Sequence, residues 1–161
     1  MKVLIVDDSR LLRERLVSMI SELPEIDVIA QAQDAAGAKD LIQGLHPDVV
    51  ILDIRLSEGN GIEVLQEIKK KRSSPVTIMF TNYPYPQYRK KCKEAGADFF
   101  FDKSTEFHKI TGVLEKINQE SSAWSIQNSK KEKCKDTILR VQTSLGLPNQ
   151  AVNISQKDNP K

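Results

Sequence analysis

The sequence predicts a doubly wound α/β fold, in which one sheet of five parallel strands is covered by helices on both faces. Five short apolar runs, at 3–6, 28–30, 49–52, 76–80 and 99–101, each precede a segment of helical pattern. The runs are nearly continuous rather than alternating, which is typical of strands buried on both faces. Short connections join the elements, and Gly or Pro punctuates several of them. Because crossovers between parallel strands are right-handed, successive helices can cover both faces of the sheet.

The five predicted helices carry apolar residues three or four positions apart, which gives each helix one face for the sheet. Ser9 can cap the first helix, Asp34 precedes the second, and Ser104 or Thr105 is expected to open the fifth. The apolar positions, in chain order, are Leu12, Leu16 and Ile20; Ala35, Ala38, Leu41, Ile42 and Leu45; Ile62, Leu65 and Ile68; Tyr88, Cys92 and Ala95; and Ile110, Val113, Leu114 and Ile117.

Composition indicates a soluble cytoplasmic chain with no membrane insertion. The 161 residues are 39% hydrophobic and 29% charged, and the net charge of +2 is too small to argue for nucleic acid. No apolar run approaches the roughly 18–20 residues that cross a bilayer. The N-terminus turns acidic after four apolar residues, which is too short for a signal peptide. The two cysteines, Cys92 and Cys134, have no metal-ligand spacing and suggest no disulfide framework.

Charge divides the chain into two parts. Residues 1–120 carry a net charge of −2, whereas residues 121–161 carry +4 and only 12 hydrophobic residues. We therefore predict a folded domain over 1–120 and a basic polar extension over 121–161 that cannot build its own core. One short helix over 130–147 could form through Ile138, Val141 and Leu145, with the rest of the extension expected to be flexible.

Polar residues gather at the carboxyl ends of the predicted strands, where open α/β sheets carry their chemistry. Asp7 and Asp8 end the first strand, Asp53 the third, Thr81 the fourth and Lys103 the fifth. Three neighbouring carboxylates repel one another unless a cation lies among them, and a hard divalent ion such as Mg²⁺ fits that role. Lysine and threonine suit phosphoryl oxygens, and an aspartate can attack phosphorus. The set therefore predicts phosphoryl transfer to an aspartate.

Each of these residues also has an ordinary structural interpretation. Asp7 or Asp8 could cap the first helix, Thr81 could simply end a strand, and Lys103 could be a surface lysine. The functional interpretation depends on four such features at the correct four strand ends of one sheet.

At these positions the chain resembles the receiver domain of bacterial two-component response regulators. The resemblance covers about residues 1–118 and implies a flavodoxin-like (βα)5 fold with strand order 2-1-3-4-5. The motifs that carry it are Val3-Leu4-Ile5-Val6-Asp7-Asp8-Ser9, Asp48-Val49-Val50-Ile51-Leu52-Asp53, Asn60-Gly61, Met79-Phe80-Thr81 and Gly96-Ala97-Asp98-Phe99-Phe100-Phe101-Asp102-Lys103.

The resemblance implies a phosphoacceptor and a metal site. Asp53 would accept a phosphoryl group from a sensor histidine kinase or a phosphotransfer protein. Asp8, Asp53 and the backbone carbonyl of Arg55 would bind Mg²⁺ directly, and Asp7 would act through water.

The resemblance also implies a switch. Lys103 would contact the phosphoryl group, Thr81 would move toward it, and Phe100 would change rotamer in step. The surface of the fourth helix, fifth strand and fifth helix would then signal to a downstream protein or form a dimer. Such a domain assists only its own phosphorylation and dephosphorylation and is not otherwise an enzyme.

The sequence departs from the family's pattern in three places. Ser57 stands four residues after the phosphoacceptor and Ser104 follows the lysine, where the family usually has proline. Asn82, followed by Tyr83, replaces the small residue that usually follows the threonine, which puts bulk near the phosphoryl entrance.

Two other functions compete with a switch that has no conventional output domain. A DNA-binding transcriptional regulator with an atypical C-terminal region is the alternative, but the 41-residue extension is too short and too polar for a helix-turn-helix domain. A phosphohydrolase with an aspartate nucleophile would need a second aspartate two residues later, and Arg55 stands there. DNA is therefore not an expected partner.

Overall fold

The structure is a computed structural model that describes residues 1–127 and 135–147, with side chains described for 1–121 and 138–147. Five strands alternate with five helices, and a sixth helix follows. Their bounds are β1 Lys2–Val6, α1 Arg10–Ser21, β2 Asp27–Ala32, α2 Ala35–Leu45, β3 Val49–Leu52, α3 Gly61–Lys69, β4 Val76–Thr81, α4 Pro86–Glu94, β5 Phe99–Asp102, α5 Lys109–Gln127 and α6 Lys135–Ser144.

The sheet confirms the predicted architecture. All four strand pairs are parallel and the order is β2-β1-β3-β4-β5. One apolar cluster joins the sheet to α1 and α5, and a second joins its other face to α2, α3 and α4. Every residue of β3 and β4 is buried, which explains why those segments read as continuous rather than alternating apolar runs.

The cap predicted at Ser9 formed, Asp34 caps the helix that it precedes, and the opening predicted for the fifth helix was wrong. Ser9 accepts a hydrogen bond from the Leu12 amide, and Asp34 accepts one from the Gly37 amide. α5 begins at Lys109, so neither Ser104 nor Thr105 caps it as predicted. Both residues instead donate to the Asp102 carboxylate, and these local bonds hold a turn in place of the first helical turn.

Part of the predicted extension is helical and packs on the domain. α5 continues to Gln127, beyond the boundary predicted at 120, and α6 lies within the helix predicted over 130–147. Ile138 and Val141 are buried in the cluster that includes α5, and the Gln142 amide donates to the Asp98 carbonyl over 2.5 Å. Gly146, with φ of 66°, follows the end of α6 as predicted. The flexibility expected for 128–134 and 148–161 concerns residues outside those described.

Among the described residues, no helix is both long and apolar enough to cross a membrane.

Candidate functional site

Backbone hydrogen bonds that extend the sheet place the predicted site residues side by side at its carboxyl edge. The amide of Asp7 donates to the Ala32 carbonyl, that of Asp53 to the Val6 carbonyl, and that of Lys103 to the Thr81 carbonyl, over 2.9–3.0 Å. Each bond continues the parallel ladder one residue past the strand. The side chains therefore leave the sheet in register, which is how residues about 50 positions apart in sequence come together.

Lys103 joins the first and third strand ends through its side chain. Its Nζ lies 2.5 Å from Asp7 Oδ2 and 2.6 Å from Asp53 Oδ2, and all three side chains are at most 6% exposed. The second carboxylate oxygens are also bonded, Asp53 Oδ1 to the Ile54 amide and Asp7 Oδ1 to the Ser9 amide. The Lys103 ammonium thus forms ion pairs with two buried carboxylates. With all three groups ionised, their formal charges sum to a net negative charge.

Burial and the neighbouring charges act in opposite directions on Asp7. Burial raises the pKa of the Asp7 carboxyl, and the hydrogen bond and charge of Lys103 only partly offset that rise. Asp53 adds a smaller repulsive contribution that also raises this pKa. The site therefore favours added positive charge close to Asp7.

The carboxylates form a set that suits a hard cation. Asp7, Asp8 and Asp53 each offer an oxygen, and these three oxygens lie within 4.8 Å of one another. Asp8 is exposed whereas the other two are buried, so the set opens to solvent on one side. Carboxylate oxygens with room for water are the ligands that Mg²⁺ prefers. The donor set fits the predicted ion.

The backbone at Gly61 packs directly against the backbone of Asp53, a contact that was not predicted from the sequence. A Cβ at Gly61 would stand 1.8 Å from the Asp53 carbonyl oxygen, so only glycine fits there. The Gly61 amide donates to the Ile54 carbonyl, and Arg55 pairs with Asn60 across the intervening loop. The Asn-Gly pair at the start of α3 was the available signal, because Asn60 also caps that helix.

Thr81 and Phe100 make no contact with the carboxylates of the site among those that the structure describes. Thr81 is fully buried, and its hydroxyl oxygen accepts the Tyr83 amide over 3.2 Å. Phe100 is 5% exposed and belongs to the apolar cluster on the α4 side of the sheet. Arg55 places its guanidinium 4.1 Å from the centre of the Tyr83 ring. The roles predicted for Thr81 and Phe100 and for the Arg55 carbonyl remain predictions.

Comparison with known proteins relates the chain to signalling proteins. A sequence model described as the response regulator receiver domain matches residues 3–115. A protein-glutamate methylesterase/protein-glutamine glutaminase of Alkalilimnicola ehrlichii is 35% identical over 121 residues, 74% of this chain and 30% of that protein. The sensory transduction protein LytT of Enterococcus faecalis is 30% identical over 142 residues, 88% of this chain and 58% of LytT. The chain thus spans about 30–58% of the length of these relatives.

Solved structures show the same similarity. The response regulator domain of Thermotoga maritima CheB has a TM-score of 0.65 at 32% identity, covering 74% of this chain and 94% of that one. A LuxR-family DNA-binding response regulator from Staphylococcus aureus has a TM-score of 0.65 at 30% identity, covering 73% and 96%.

Proposed function

The chain belongs to the response regulator receiver family, and from that premise we propose that Asp53 accepts a phosphoryl group in a Mg²⁺-dependent reaction. The donor would be a sensor histidine kinase or a phosphotransfer protein, and the reaction would take place in the cytoplasm. The observation that carries the proposal is the carboxyl-edge arrangement, in which Lys103 contacts Asp53 beside Asp7 and Asp8.

The chemistry follows from the positions of these groups. A carboxylate oxygen of Asp53 attacks phosphorus, the bond from phosphorus to the donor's imidazole nitrogen breaks, and an aspartyl phosphate forms. Lys103 already lies 2.6 Å from Asp53 Oδ2, so its ammonium is in place to contact the transferred group. Asp8, Asp53 and the Arg55 carbonyl would hold Mg²⁺, with Asp7 bound through water. The ion would neutralise charge that develops on the phosphoryl oxygens.

The proposed output is a change in shape that protein partners recognise. Thr81 would turn its hydroxyl from the Tyr83 amide toward the phosphoryl group, and Phe100 would change rotamer. The surface formed by α4, β5 and α5 would then bind a downstream protein or a second copy of the chain. The domain would catalyse only its own phosphorylation and dephosphorylation.

A DNA-binding transcriptional regulator is the second candidate function. It is favoured by the similarity to the Staphylococcus aureus protein, which is a LuxR-family DNA-binding response regulator. Sequence-specific binding of the chain to DNA at physiological salt, measured by fluorescence anisotropy, would support this candidate over signalling by protein contacts alone.

Mass spectrometry after incubation with acetyl phosphate and Mg²⁺ tests the phosphoacceptor. The wild-type chain should gain one phosphoryl group and Asp53→Asn should gain none. Asp40→Asn, the same substitution at an exposed position on α2, is the matched control and should behave as wild type. Equal phosphorylation of Asp53→Asn and wild type would overturn the proposal.

The metal assignment has a separate test. Asp8→Ala should weaken Mg²⁺ binding, measured by NMR titration of the amides around the site, while Asp40→Asn leaves it unchanged. An unchanged affinity in Asp8→Ala would contradict this assignment.

A further inference from the structure

Arg89 of α4 reaches across to the edge strand β5 and contacts one residue there in two ways. Its guanidinium carbon lies 4.3 Å from the centre of the Phe100 ring, and its NH1 donates to the Phe100 carbonyl over 3.3 Å. In the part of the chain that the structure describes, β5 is the last strand of the sheet and pairs with β4 alone. Arg89 therefore contacts both the backbone and the side chain of Phe100 at the open edge of the sheet.

The Phe100 ring is enclosed between this guanidinium and the apolar core. Phe100 is 5% exposed and shares its cluster with Met79 and Cys92, both of which are fully buried. Arg89 itself is exposed. The guanidinium on its face and the apolar cluster thus together leave the ring almost inaccessible to solvent.

The charges around Arg89 favour the position that it occupies. The Asp102 carboxylate at the end of β5 has a lowered pKa, chiefly through the Ser104 amide hydrogen bond, with a smaller contribution from the Arg89 charge. On α4 itself, Glu94 lies 3.9 Å from Lys90. The charge of Arg89 also helps to lower the pKa of Glu106, in the turn after β5. The acidic groups that attract Arg89 thus lie at the end of β5 and just beyond it, so the attraction draws the guanidinium toward that strand.

We propose that Arg89 is a positioning residue that holds Phe100 in its inward position and thereby ties α4 to β5. The inference rests on the proposed function, in which the Phe100 rotamer follows phosphorylation of Asp53. A planar guanidinium can stack on the ring and bond to the carbonyl at once, whereas a lysine ammonium has no plane to stack. Both the ring and the strand edge therefore depend on arginine at this position.

Fluorine NMR on the full chain labelled with para-fluorophenylalanine tests this role. The Phe100 resonance is identified by its loss in Phe100→Tyr, and its exposure is read from broadening by a soluble paramagnetic reagent. In the unphosphorylated protein, Arg89→Ala should raise the population of the exposed ring about two- to fivefold, as expected for loss of a cation–π contact at an exposed site. Arg89→Lys should lie between Arg89→Ala and wild type.

Lys90→Ala is the matched control, because it removes the same charge from the same helix without touching Phe100 in the described contacts. An unchanged Phe100 exposure in Arg89→Ala, or an equal change in Lys90→Ala, would overturn the proposal. Phe100 exposure is compared in unphosphorylated variants, so this test does not depend on whether Asp53 accepts a phosphoryl group. That second question is answered separately by mass spectrometry. If Arg89→Ala does not fold, the Arg89→Lys spectrum decides by the same criterion.

Discussion

Replacing Gly61 by alanine should displace the backbone of the proposed phosphoacceptor and destabilise the domain. The new Cβ would lie 1.8 Å from the Asp53 carbonyl oxygen and 2.9 Å from its carbonyl carbon, whereas real Cβ atoms keep at least 3.0 Å. The loop at 54–60 or the start of α3 must therefore move by about 1.2 Å. Overpacking of this kind costs about 1–3 kcal/mol of unfolding free energy. A displacement of about 1 Å at a reacting group can lower the rate about a hundredfold.

Urea unfolding followed by circular dichroism measures the stability, and mass spectrometry measures the initial rate of phosphorylation by acetyl phosphate. Gly44→Ala is the matched control, because no atom lies within 4 Å of the Cβ position at Gly44 on α2. That variant should gain about 0.5–1 kcal/mol, as alanine favours a helix more than glycine. The reasoning is refuted if Gly61→Ala unfolds with a free energy within about 0.5 kcal/mol of wild type.

Three further predictions concern buried groups. Lys103→Met should lower the unfolding free energy in Mg²⁺-free buffer by about 3–5 kcal/mol, because two buried carboxylates lose their cation. Lys39→Met, which breaks the more exposed pair with Glu67, should lower it far less, and similar losses in the two variants would contradict the assignment. Burial raises the pKa of the Cys92 thiol from its reference value of 9.0 to about 12. At pH 8.5 the thiolate fraction is therefore about a thousandfold lower than it would be for a thiol with the reference pKa. Peptide mapping should find Cys92 unalkylated by iodoacetamide until urea is added, and rapid labelling of the folded protein would count against this. Val141→Ala should weaken the docking free energy of α6 by about 1–2 kcal/mol and so speed amide hydrogen exchange in α6, because Val141 is buried. Leu139→Ala, at a position that is 40% exposed, should leave the exchange rates of α6 close to those of wild type.

Features of the fold that depend on nearby residues could be predicted from the sequence. The five strands, the caps at Ser9 and Asp34 and the end of α6 near Gly146 all follow from periodicity and short-range hydrogen bonding. The start of α5 could not be predicted in this way, since the side chain of Asp102 bonds to Ser104 and Thr105 and so competes with a cap at either residue. The same residues could either cap a helix or form a turn with Asp102, and in the structure they form the turn.

The sequence by itself determined which residues stand at the carboxyl edge of the sheet. Parallel strands expose their carboxyl ends on one side, so the residue that follows each buried run is placed by the order of elements alone. Asp7, Asp53 and Lys103 were found for that reason. Only the tertiary structure decided that one Lys103 ammonium bridges both carboxylates, that Gly61 abuts the Asp53 carbonyl, and that Arg89 covers Phe100. These contacts join residues 8 to 96 positions apart, and their distances depend on how helices and loops pack, which no local pattern of residues encodes.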